Sequence, residues 1–466
     1  MKPYSMLKAL CSSRSDVRKS TPNTCTNITE SKTPNLSKRF RKTLSESLNT
    51  TNNLDSSTQH TKLSTKRKST PINIALITGT RAEWGLLYPL AKVLQQDSAY
   101  NLQIIATGSH LSQELGNTYQ EIEADGFEIA AKIPILQHHN THLDTAKSLA
   151  TAIVSFSEYF LHTPPDIAII LGDRYEAFGA AIACGNLNIP IAHICGGDST
   201  QGANDEYMRH CISKISYLHF PSNALSAKRI IQLGESPQRV FNVGSLAVEN
   251  INNTRLLNRQ ELSTQLKLNS QCLDRFCLLT FHPTTLESNI SSTQEITLIL
   301  EALLQTPFFI LATKANADTG GELINAVLAS YATRFPNKIA LFANLGRILY
   351  LSSLKSAAFM IGNSSSATSE APIMHTPAIN IGTRQKGRLI PESTLSINPN
   401  PSDTNGYITS ILTAIETVSS DTFRRNSTHP FGNGTSARQI ADIIKTELQQ
   451  GINLKKAFYD VDFGYN

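Results

Sequence analysis

From residue 71 onward, short runs of β-branched and aliphatic residues alternate with segments whose apolar positions recur every three or four residues. The first kind of run predicts strands buried on both faces, and the second predicts amphipathic helices. Regular alternation of the two is typical of parallel sheets whose strands are joined by covering helices. The pattern therefore predicts an α/β protein.

The alternation occupies two stretches of the chain. The first contains the predicted strands INIALIT, LQIIAT, DIAIILG and IPIAHI, and the predicted helices LLYPLAKVLQQ, YQEIEADG, TAKSLATAIVSFSEYFL and EAFGAAIACGNL. A less regular segment follows, and the strands resume with FCLLTFHP, PFFILAT, IALFAN, AAFMIGN and PAINIG. We therefore expect two doubly wound domains, residues 71–250 and 251–450, and a tail at 451–466.

Residues 1–70 have no such period and are rich in Ser, Thr, Asn, Lys and Arg. A segment of this composition does not bury enough apolar surface to offset its chain entropy, so we expect a disordered basic extension. Basic, hydroxylated and acid-poor composition also suits an organelle-targeting peptide, and this alternative stays open.

The formal net charge of the 466 residues is +5, and the basic excess lies almost entirely before Pro71. The remainder has no electrostatic footprint for nucleic acid. The seven cysteines form no CxxC pair, which favours a reducing cytoplasm over a disulfide framework or a zinc site. No apolar run approaches the roughly 18 residues of a membrane span. We expect a cytoplasmic protein without nucleic-acid or membrane partners.

Ligands of doubly wound sheets bind at the carboxyl ends of the strands, and two facing sheets place that site in a cleft. The segment HICGGDSTQGANDEYMRHCISK follows such a strand. Gly196 and Gly197 allow a close backbone approach, and Asp198 is expected to face the cleft. The next predicted helix begins with Asp205 and Glu206 as candidate catalytic residues and Arg209 as a candidate substrate contact. The alternative is a capping cluster with a surface ion pair.

Two further strand ends of the first half carry charges. In TGTRAEWG, a turn at Gly79 precedes a helix whose first N–H groups, with Arg81, suit an anion. Alternatively, Gly79 only lets strand and helix pack closely. In LGDRYEA, Asp173 and Arg174 end an apolar strand, where a charge is costly unless paired or used. Asp173 is alternatively a helix N-cap.

In the second half, FHPTT places His282 at a strand end, where a structural histidine is the alternative. The segment IGNSSSATSEAP offers hydroxyl and N–H groups to a diphosphate and Glu370 to a ribose, unless it is only a serine-rich cap. Its hydroxyl candidates are Ser364, Ser365 and Ser366. In GTRQKGR, Arg384 suits phosphate oxygens.

Two classes of cofactor are not expected. The GxGxxG spacing of a dinucleotide fingerprint is absent after the first strand, so the sequence does not support NAD. Asp173 and Asp198 resemble a metal pair in isolation, but no third ligand lies at metal spacing. We therefore predict neither a metal nor an organic cofactor.

Taken together, TGTRAEWGLL, GDRYEA, HICGGDSTQGANDEYMRHCISK, FHP, GNSSSATSEAP and INIGTRQKGR resemble the hydrolysing UDP-N-acetylglucosamine 2-epimerases. Relatives of these enzymes act on UDP-N,N′-diacetylbacillosamine. The resemblance covers residues 72–447. It implies a GT-B-like fold of two Rossmann-type domains with a UDP-sugar in the interdomain cleft, and a homo-oligomer.

The resemblance assigns roles residue by residue. The UDP contacts it implies are Arg81, Arg174, Ser364, Ser365, Glu370 and Arg384. The catalytic or near-catalytic positions are Asp173, Asp198, Asp205 and His282, and Glu206 is kept as an alternative to Asp205. The chain departs from the family pattern at Cys195, Asp198 and Ala367, where the family often has His, Glu and Gly. The shorter Asp198 pulls its carboxylate back by one methylene.

Inverting C2 of a nucleotide sugar requires a base for the C2 proton while the diphosphate leaves C1, so a carboxylate must act beside cations. The expected product is UDP with a free N-acetylmannosamine-type sugar that feeds sialic or related nonulosonic acid synthesis. Three other functions stay open: a non-hydrolysing 2-epimerase, a GT-B glycosyltransferase and a non-catalytic UDP-sugar sensor. The sugar's C4 and C6 groups are not fixed by the motifs.

Overall fold

The computed structural model of the protein describes residues 70–114, 116–137, 142–200, 205–283, 292–315, 321–400, 402–425 and 428–462. These residues belong to one compact unit, Lys68–Asn466. The predicted basic extension, apart from its last residue, and the end of the predicted tail, residues 463–466, lie outside the described residues.

The first sheet has six parallel strands in the order β3-β2-β1-β4-β5-β6. Their bounds are β1 Ile72–Thr78, β2 Tyr100–Thr107, β3 Ile129–Ile133, β4 Ile167–Leu171, β5 Ile191–Ile194 and β6 Leu218–Phe220. Strand β1 lies between β2 and β4, with Ile74 opposite both Leu102 and Ile167. The strand order reverses between β1 and β4, and such a switch point opens a crevice at the carboxyl ends of the strands.

The second sheet repeats this arrangement in the order β12-β11-β10-β7-β8-β9. The bounds are β7 Phe276–Thr280, β8 Phe309–Thr313, β9 Ile339–Phe342, β10 Phe359–Gly362, β11 Ala378–Ile381 and β12 Thr394–Ile397. Its switch point lies between β7 and β10. Two six-stranded parallel sheets with flanking helices confirm the predicted α/β, GT-B-like fold class.

Fifteen α-helices are present in the described residues. In the first half they are α1 Arg81–Gln96, α2 Tyr119–Ala124, α3 His142–His162, α4 Tyr175–Asn186, α5 Asp205–Ile215, α6 Ala224–Gln232 and α7 Leu246–Asn252. In the second half they are α8 Arg259–Leu266, α9 Ser292–Leu304, α10 Gly321–Arg334, α11 Gly346–Ser356, α12 Glu370–Ile373, α13 Thr404–Val418, α14 Asp421–Arg425 and α15 Ser436–Gln450.

The last helix belongs in space to the first sheet. The α15 side chains of Ile440 and Ile444 are fully buried in the same core cluster as Leu76 of β1. The hydroxyl of Tyr100 donates a 2.8 Å hydrogen bond to the carbonyl of Ala441. The chain therefore returns to its first half after completing the second sheet.

Three edge strands, β3, β6 and β12, were not predicted from the sequence. Strand β6 has only three residues and lies in the segment whose pattern is less regular. In β3 (IAAKI), more exposed and more buried positions alternate, and β12 (TLSI) is only partly buried. Runs that are apolar throughout are typical of strands buried on both faces. An edge strand lacks that signal because one of its sides meets solvent. Among the described helices, none is long and apolar enough to cross a membrane.

Substitution of Gly362 by Ala is expected to lower the free energy of unfolding by about 3 kcal/mol. Gly362 has φ +137°, and an added Cβ would lie 1.9 Å from the carbonyl oxygen of Thr280. The matched control is Gly382→Ala, because Gly382 has φ +77° but open space around its Cβ position. That variant should lose only about 1–2 kcal/mol. Equal losses in urea unfolding would contradict the role of this close approach.

Candidate active site

A buried guanidinium joins three segments at the carboxyl edge of the first sheet. Asp173 follows β4, Asp198 follows β5, and Arg209 lies in α5 with 3% of its side chain exposed. Arg209 pairs with the Asp173 carboxylate through Nη2, and its Nη1 donates 3.0 Å hydrogen bonds to Glu206 and to the carbonyl of Asp198. These donors of Arg209 are used within the protein, which favours a positioning role over the predicted substrate contact.

Glu206 is held by groups of its own loop and helix. Its carboxylate accepts a 2.8 Å hydrogen bond from the hydroxyl of Ser199, another from the backbone N–H of Thr200, and a third from Arg209. Burial alone would raise the pKa of Glu206, but these hydrogen bonds and a contact with His210 outweigh it and lower the pKa. A carboxylate held ionised in this way is poorly suited to exchange a proton.

Asp205 has the opposite electrostatics, although it is the neighbouring residue. Desolvation raises the pKa of its carboxyl, and the nearby Asp173 carboxylate raises it further against the lowering effect of Arg174 and Arg209. The two adjacent carboxyls therefore have pKa values displaced in opposite directions. Of the two alternatives left by the sequence, the raised pKa makes Asp205 the stronger candidate for a group that gains and loses a proton.

The glycines before Asp198 serve close packing. Gly197 has φ +78°, and a Cβ there would lie 2.2 Å from the carbonyl oxygen of Ser226 in α6. Asp198 accepts a 2.5 Å hydrogen bond from the Ser226 hydroxyl and a 3.5 Å one from Asn223. The close backbone approach expected at Gly196 and Gly197 is present, and it brings the loop against α6.

His193 is a site residue to which the sequence analysis gave no role. It is completely buried, with Nε2 2.7 Å from the carbonyl of Gly172 and Nδ1 3.1 Å from the hydroxyl of Ser213. Burial lowers its pKa to about 3, so the ring is neutral at physiological pH. Because Gly172 precedes Asp173, the imidazole fixes the loop that carries this carboxylate.

A His193→Asn variant should show how this neutral ring couples stability to pH. Below about pH 6.5 the unfolded chain protonates the histidine, whereas the native ring stays neutral until about pH 3. Native stability is therefore lost as the pH falls from 6.5. The stability difference between wild type and variant should shrink by about 2 kcal/mol between pH 7 and pH 5. Urea unfolding at both pH values measures it, and an unchanged difference would contradict the assignment.

The turn between β1 and α1 is closed by a capping box. Glu83 accepts hydrogen bonds from the N–H groups of Gly79 (2.6 Å) and Thr80 (3.2 Å), and its own N–H donates to Thr80. These three N–H groups are thus bonded inside the protein. A Cβ on Gly79 would lie 2.5 Å from Cγ of Glu176, so this glycine allows the turn to pack closely against α4.

The two basic residues predicted at strand ends of the first half, Arg81 after β1 and Arg174 after β4, have acidic partners. Arg81 forms a 3.0 Å ion pair with Glu121, and both side chains are about half exposed. Arg174 donates from Nε to the buried Glu176 at 2.7 Å while 43% of its side chain stays exposed. Arg174 therefore has its guanidinium oriented at the switch point of the first sheet, whereas Arg81 is oriented by α2.

In the second half, Asn363 is the organising residue. Its side-chain amide accepts a 2.7 Å hydrogen bond from the N–H of His282 and donates a 2.8 Å bond to the carbonyl of His282. Its own carbonyl accepts hydrogen bonds from Arg384 at 3.3 Å and from Gln385 at 2.9 Å. The strand ends of β7, β10 and β11 are thus fastened together, which brings His282 and Arg384 to one place.

The serine segment forms a 3-10 turn, Ser365–Ala367, capped by the hydroxyl of Ser364. Ser364 and Ser366 are buried and Ser365 is half-buried. Glu370 accepts a hydrogen bond from Ser369 at the start of α12. The serine-rich cap therefore exists in the structure, at the same edge of the sheet as Asn363.

A side-chain contact connects the two halves beside these loops. Arg229 in α6 donates a 3.1 Å hydrogen bond to the carbonyl of Gly387, which follows β11 in the segment that carries Arg384. One turn earlier in α6, Ser226 holds Asp198. The Asp198 loop and the Arg384 loop are therefore connected through a single helix.

Comparison with known proteins identifies the family of this chain. The family model of UDP-N-acetylglucosamine 2-epimerase matches residues 92–445, which is more than half of the chain. The chain belongs to the UDP-N-acetylglucosamine 2-epimerase family. The resemblance found in the motifs is thereby confirmed, and the chain is an enzyme of this family type.

Two curated members of the epimerase family are similar over most of the chain. The "GDP/UDP-N,N′-diacetylbacillosamine 2-epimerase (hydrolyzing)" of Campylobacter jejuni is 44% identical over 82% of this chain and 96% of its own length. The "polysialic acid biosynthesis protein P7" of Escherichia coli is 34% identical over 83% of this chain and 97% of its own length.

Solved structures of the epimerase family share the fold at low sequence identity. The Neisseria meningitidis UDP-GlcNAc 2-epimerase bound to UDP-GlcNAc has a TM-score of 0.66 and 16% identity, and covers 81% of this chain and 100% of that chain. A Listeria monocytogenes structure described as a UDP-N-acetylglucosamine 2-epimerase has a TM-score of 0.68 and 17% identity, covering 84% of this chain and 99% of that chain. These likenesses support the fold assignment alone.

Several positioning groups of this epimerase-family site have weak sequence signals. His193 interrupts an apolar strand, and a polar residue there is costly unless it is bonded, so this signal was available. Ser226, Asn223 and Gln385 lie in unremarkable helix and loop sequence and become visible only through their contacts. In the described part of the chain, no cluster of three metal-ligating side chains is present.

Proposed function

We propose that the chain is a hydrolysing 2-epimerase of a UDP-linked 2-acetamido sugar, which releases UDP and the free 2-epimeric sugar through a glycal. The observation that supports this most is the pair of acidic environments at the switch point of the first sheet. Asp205 has a raised pKa beside Asp173 and Arg174, whereas Asp173 is paired with the buried Arg209. A carboxyl whose pKa is raised suits the exchange of a proton with a substrate, and a carboxylate paired with a buried cation suits a positioning role.

In the proposed reaction a carboxylate removes the proton from C2 while the C1–O bond breaks and UDP leaves with the electron pair. The C1=C2 double bond of the glycal forms. A second carboxyl group then delivers a proton to C2 from the opposite face while the oxygen of water bonds to C1. The proton that this water loses restores the second carboxyl group, and the first carboxyl group releases the C2 proton to solvent. Cations at the diphosphate stabilise the departing charge, and Arg174 and Arg384 are the proposed contacts.

We assign the two acid–base roles to Asp205 and Asp198. Asp173 is neutralised by Arg209, which suits it to hold Arg209 in place during turnover. Asp198 is fixed by Ser226 at the other end of the cluster. His282 is proposed to assist at the leaving oxygen, since its loop is fastened to that of Arg384 through Asn363.

Hydrolysis rather than re-addition of UDP is favoured by the curated relative from C. jejuni, whose name includes "hydrolyzing". The same name favours a diacetamido sugar, as does the Legionella pneumophila UDP-N,N′-diacetylbacillosamine 2-epimerase (hydrolyzing), 35% identical over 68% of this chain. The polysialic acid protein supports a place before nonulosonic acid synthesis.

The test is product analysis with UDP-N-acetylglucosamine, UDP-N,N′-diacetylbacillosamine and the GDP-linked form of the second sugar. We expect free nucleotide and free 2-epimeric sugar in equal amounts from the UDP-linked diacetamido substrate, with slower or no release from the other two. A 2-epimeric sugar still attached to UDP would establish the non-hydrolysing reaction instead. Intact substrates with tight UDP binding would favour the transferase or sensor function.

A homo-oligomer in the cytoplasm is part of the proposal. Helix α3 exposes Leu143, Val154 and Leu161 by 56–66%, which is an unusual share of apolar surface for a helix in water. A second copy of the chain is the partner we propose for this face. The five described cysteines are free thiols, which suits a reducing compartment.

A further inference from the structure

The C-terminal tail is bound to the end of the helix that carries the acid–base cluster. After α15 ends at Gln450, the chain continues without regular structure, and the ammonium group of Lys456 donates hydrogen bonds to the carbonyls of Lys214 and Ser216 at 2.7 Å each. These carbonyls lie at the C-terminus of α5. A cation at this end of a helix also interacts favourably with the helix dipole.

A buried carboxylate makes this contact strong. Glu235 is 2% exposed and accepts hydrogen bonds from Lys456 at 2.8 Å, from Lys214 at 2.8 Å and from the fully buried His219 at 3.1 Å. Burial lowers the pKa of His219, so the neutral ring leaves the two lysines as the cations of the cluster. A buried carboxylate that loses a cationic partner is costly, which ties the tail to α5.

Two further tail residues fix the position of Lys456. The ring of Phe458 lies over Gly234, where an added Cβ would come within 2.3 Å of it, and the ammonium of Lys214 is 4.7 Å from the ring centroid. The backbone N–H of Tyr459 donates a 2.9 Å hydrogen bond to the carbonyl of Gly234. The family model ends at residue 445, so this attachment lies outside the region that defines the family.

The opposite end of α5 carries the site. Asp205 is its first residue, and Arg209 joins it to the loops of Asp173 and Asp198. An 11-residue helix is about 16 Å long and moves as a rigid rod. A shift of one end along the helix axis therefore shifts the other end by the same distance. Contacts that fix the C-terminus of α5 therefore also fix the position of Asp205 at its N-terminus.

We propose that residues 451–462 act as a strap that sets the position of α5, with Lys456 as a positioning residue for Asp205. The proposal rests on the proposed function, because it assigns Asp205 to the chemistry. Lys456 lies at the far end of the helix, and its effect reaches the substrate only through α5. A small displacement of an acid–base group lowers the rate of the chemical step more than it weakens substrate binding.

The experiment compares Lys456→Met with Lys455→Met in the full chain. Lys455 is the exposed neighbour of Lys456, so its variant removes the same charge without touching α5. We expect kcat of Lys456→Met to fall about tenfold or more while KM and UDP affinity change less than threefold. Lys456→Arg should recover part of kcat. Hydrogen exchange of the amides in residues 205–215 should be faster in Lys456→Met alone.

The outcomes separate the strap from the proposed function. Lack of turnover in the wild-type protein would remove the proposed function, and hydrogen exchange of α5 would still test the strap. Equal kcat values and equal hydrogen exchange of α5 in Lys456→Met and Lys455→Met would overturn the strap proposal. If Lys456→Met fails to fold, Phe458→Ala keeps the charges and weakens the strap. An unchanged kcat and unchanged α5 exchange in Phe458→Ala would then overturn the proposal.

Discussion

Asp205→Asn is expected to lower turnover by about 10²–10⁴-fold, the contribution typical of a positioned acid–base group. The substitution keeps the shape of the side chain and removes its ability to exchange a proton. UDP affinity should stay within about tenfold of wild type, because a carboxamide removes a negative charge without removing a cation from the site. Steady-state kinetics and a UDP titration measure the two effects separately.

Asp442→Asn is the matched control for this substitution. Asp442 lies on the exposed side of α15, and its variant should keep wild-type turnover. A Glu206→Gln variant distinguishes the two neighbours, because Glu206 holds its loop through hydrogen bonds that a carboxamide partly retains. Its turnover should exceed that of Asp205→Asn by at least about tenfold. The reverse order of the two activities would assign the proton exchange to Glu206.

Arg209→Met is expected to lower the free energy of unfolding by about 3–5 kcal/mol and to abolish turnover. The substitution leaves Asp173 and Glu206 without their shared cation in a site where Arg209 is only 3% exposed. Repulsion between these carboxylates would also open the loop of Asp198. Urea unfolding and the steady-state assay report both losses.

The control for Arg209 is Arg255→Met. The ion pair of Arg255 with Glu261 has a shorter donor–acceptor distance, 2.6 Å, than the Arg209–Glu206 pair, but 81% of the Arg255 side chain is exposed. Solvent screening should limit its contribution to less than about 1 kcal/mol. Arg209→Lys should lie between the two, because one ammonium cannot reproduce the fork of a guanidinium. A stability loss for Arg209→Met no larger than that for Arg255→Met would contradict the proposal that the buried Arg209 holds Asp173 and Glu206 together.

The fold was largely predictable because central strands are buried on both faces and are therefore apolar along their whole length. DIAIILG and FCLLTFHP read as continuous apolar runs, and the strands Ile167–Leu171 and Phe276–Thr280 are fully buried. Strands β3 and β12 were missed because an edge strand mixes exposed and buried positions. The sequence of α15 does not indicate that this helix packs against the first sheet, because its apolar stripe could pack equally well against either sheet.

The site was predictable where a charge follows a strand and unpredictable where it depends on three-dimensional partners. Asp173, Asp198 and His282 follow directly from strand ends. The opposite electrostatics of Asp205 and Glu206 do not follow from sequence, because adjacent carboxylates differ only in which loop atoms reach them. The contact of Lys456 with α5 joins residues about 240 positions apart and is likewise invisible in a local pattern.

The most direct test of the central claim is proton NMR of the reaction in deuterated water. With UDP-N,N′-diacetylbacillosamine as substrate, proton removal and return at C2 predict a free 2-epimeric sugar that carries one deuterium at C2, together with released UDP. Asp205→Asn should produce both about 10²–10⁴-fold more slowly. Free sugar that keeps its original proton at C2 would contradict acid–base epimerisation by these carboxylates.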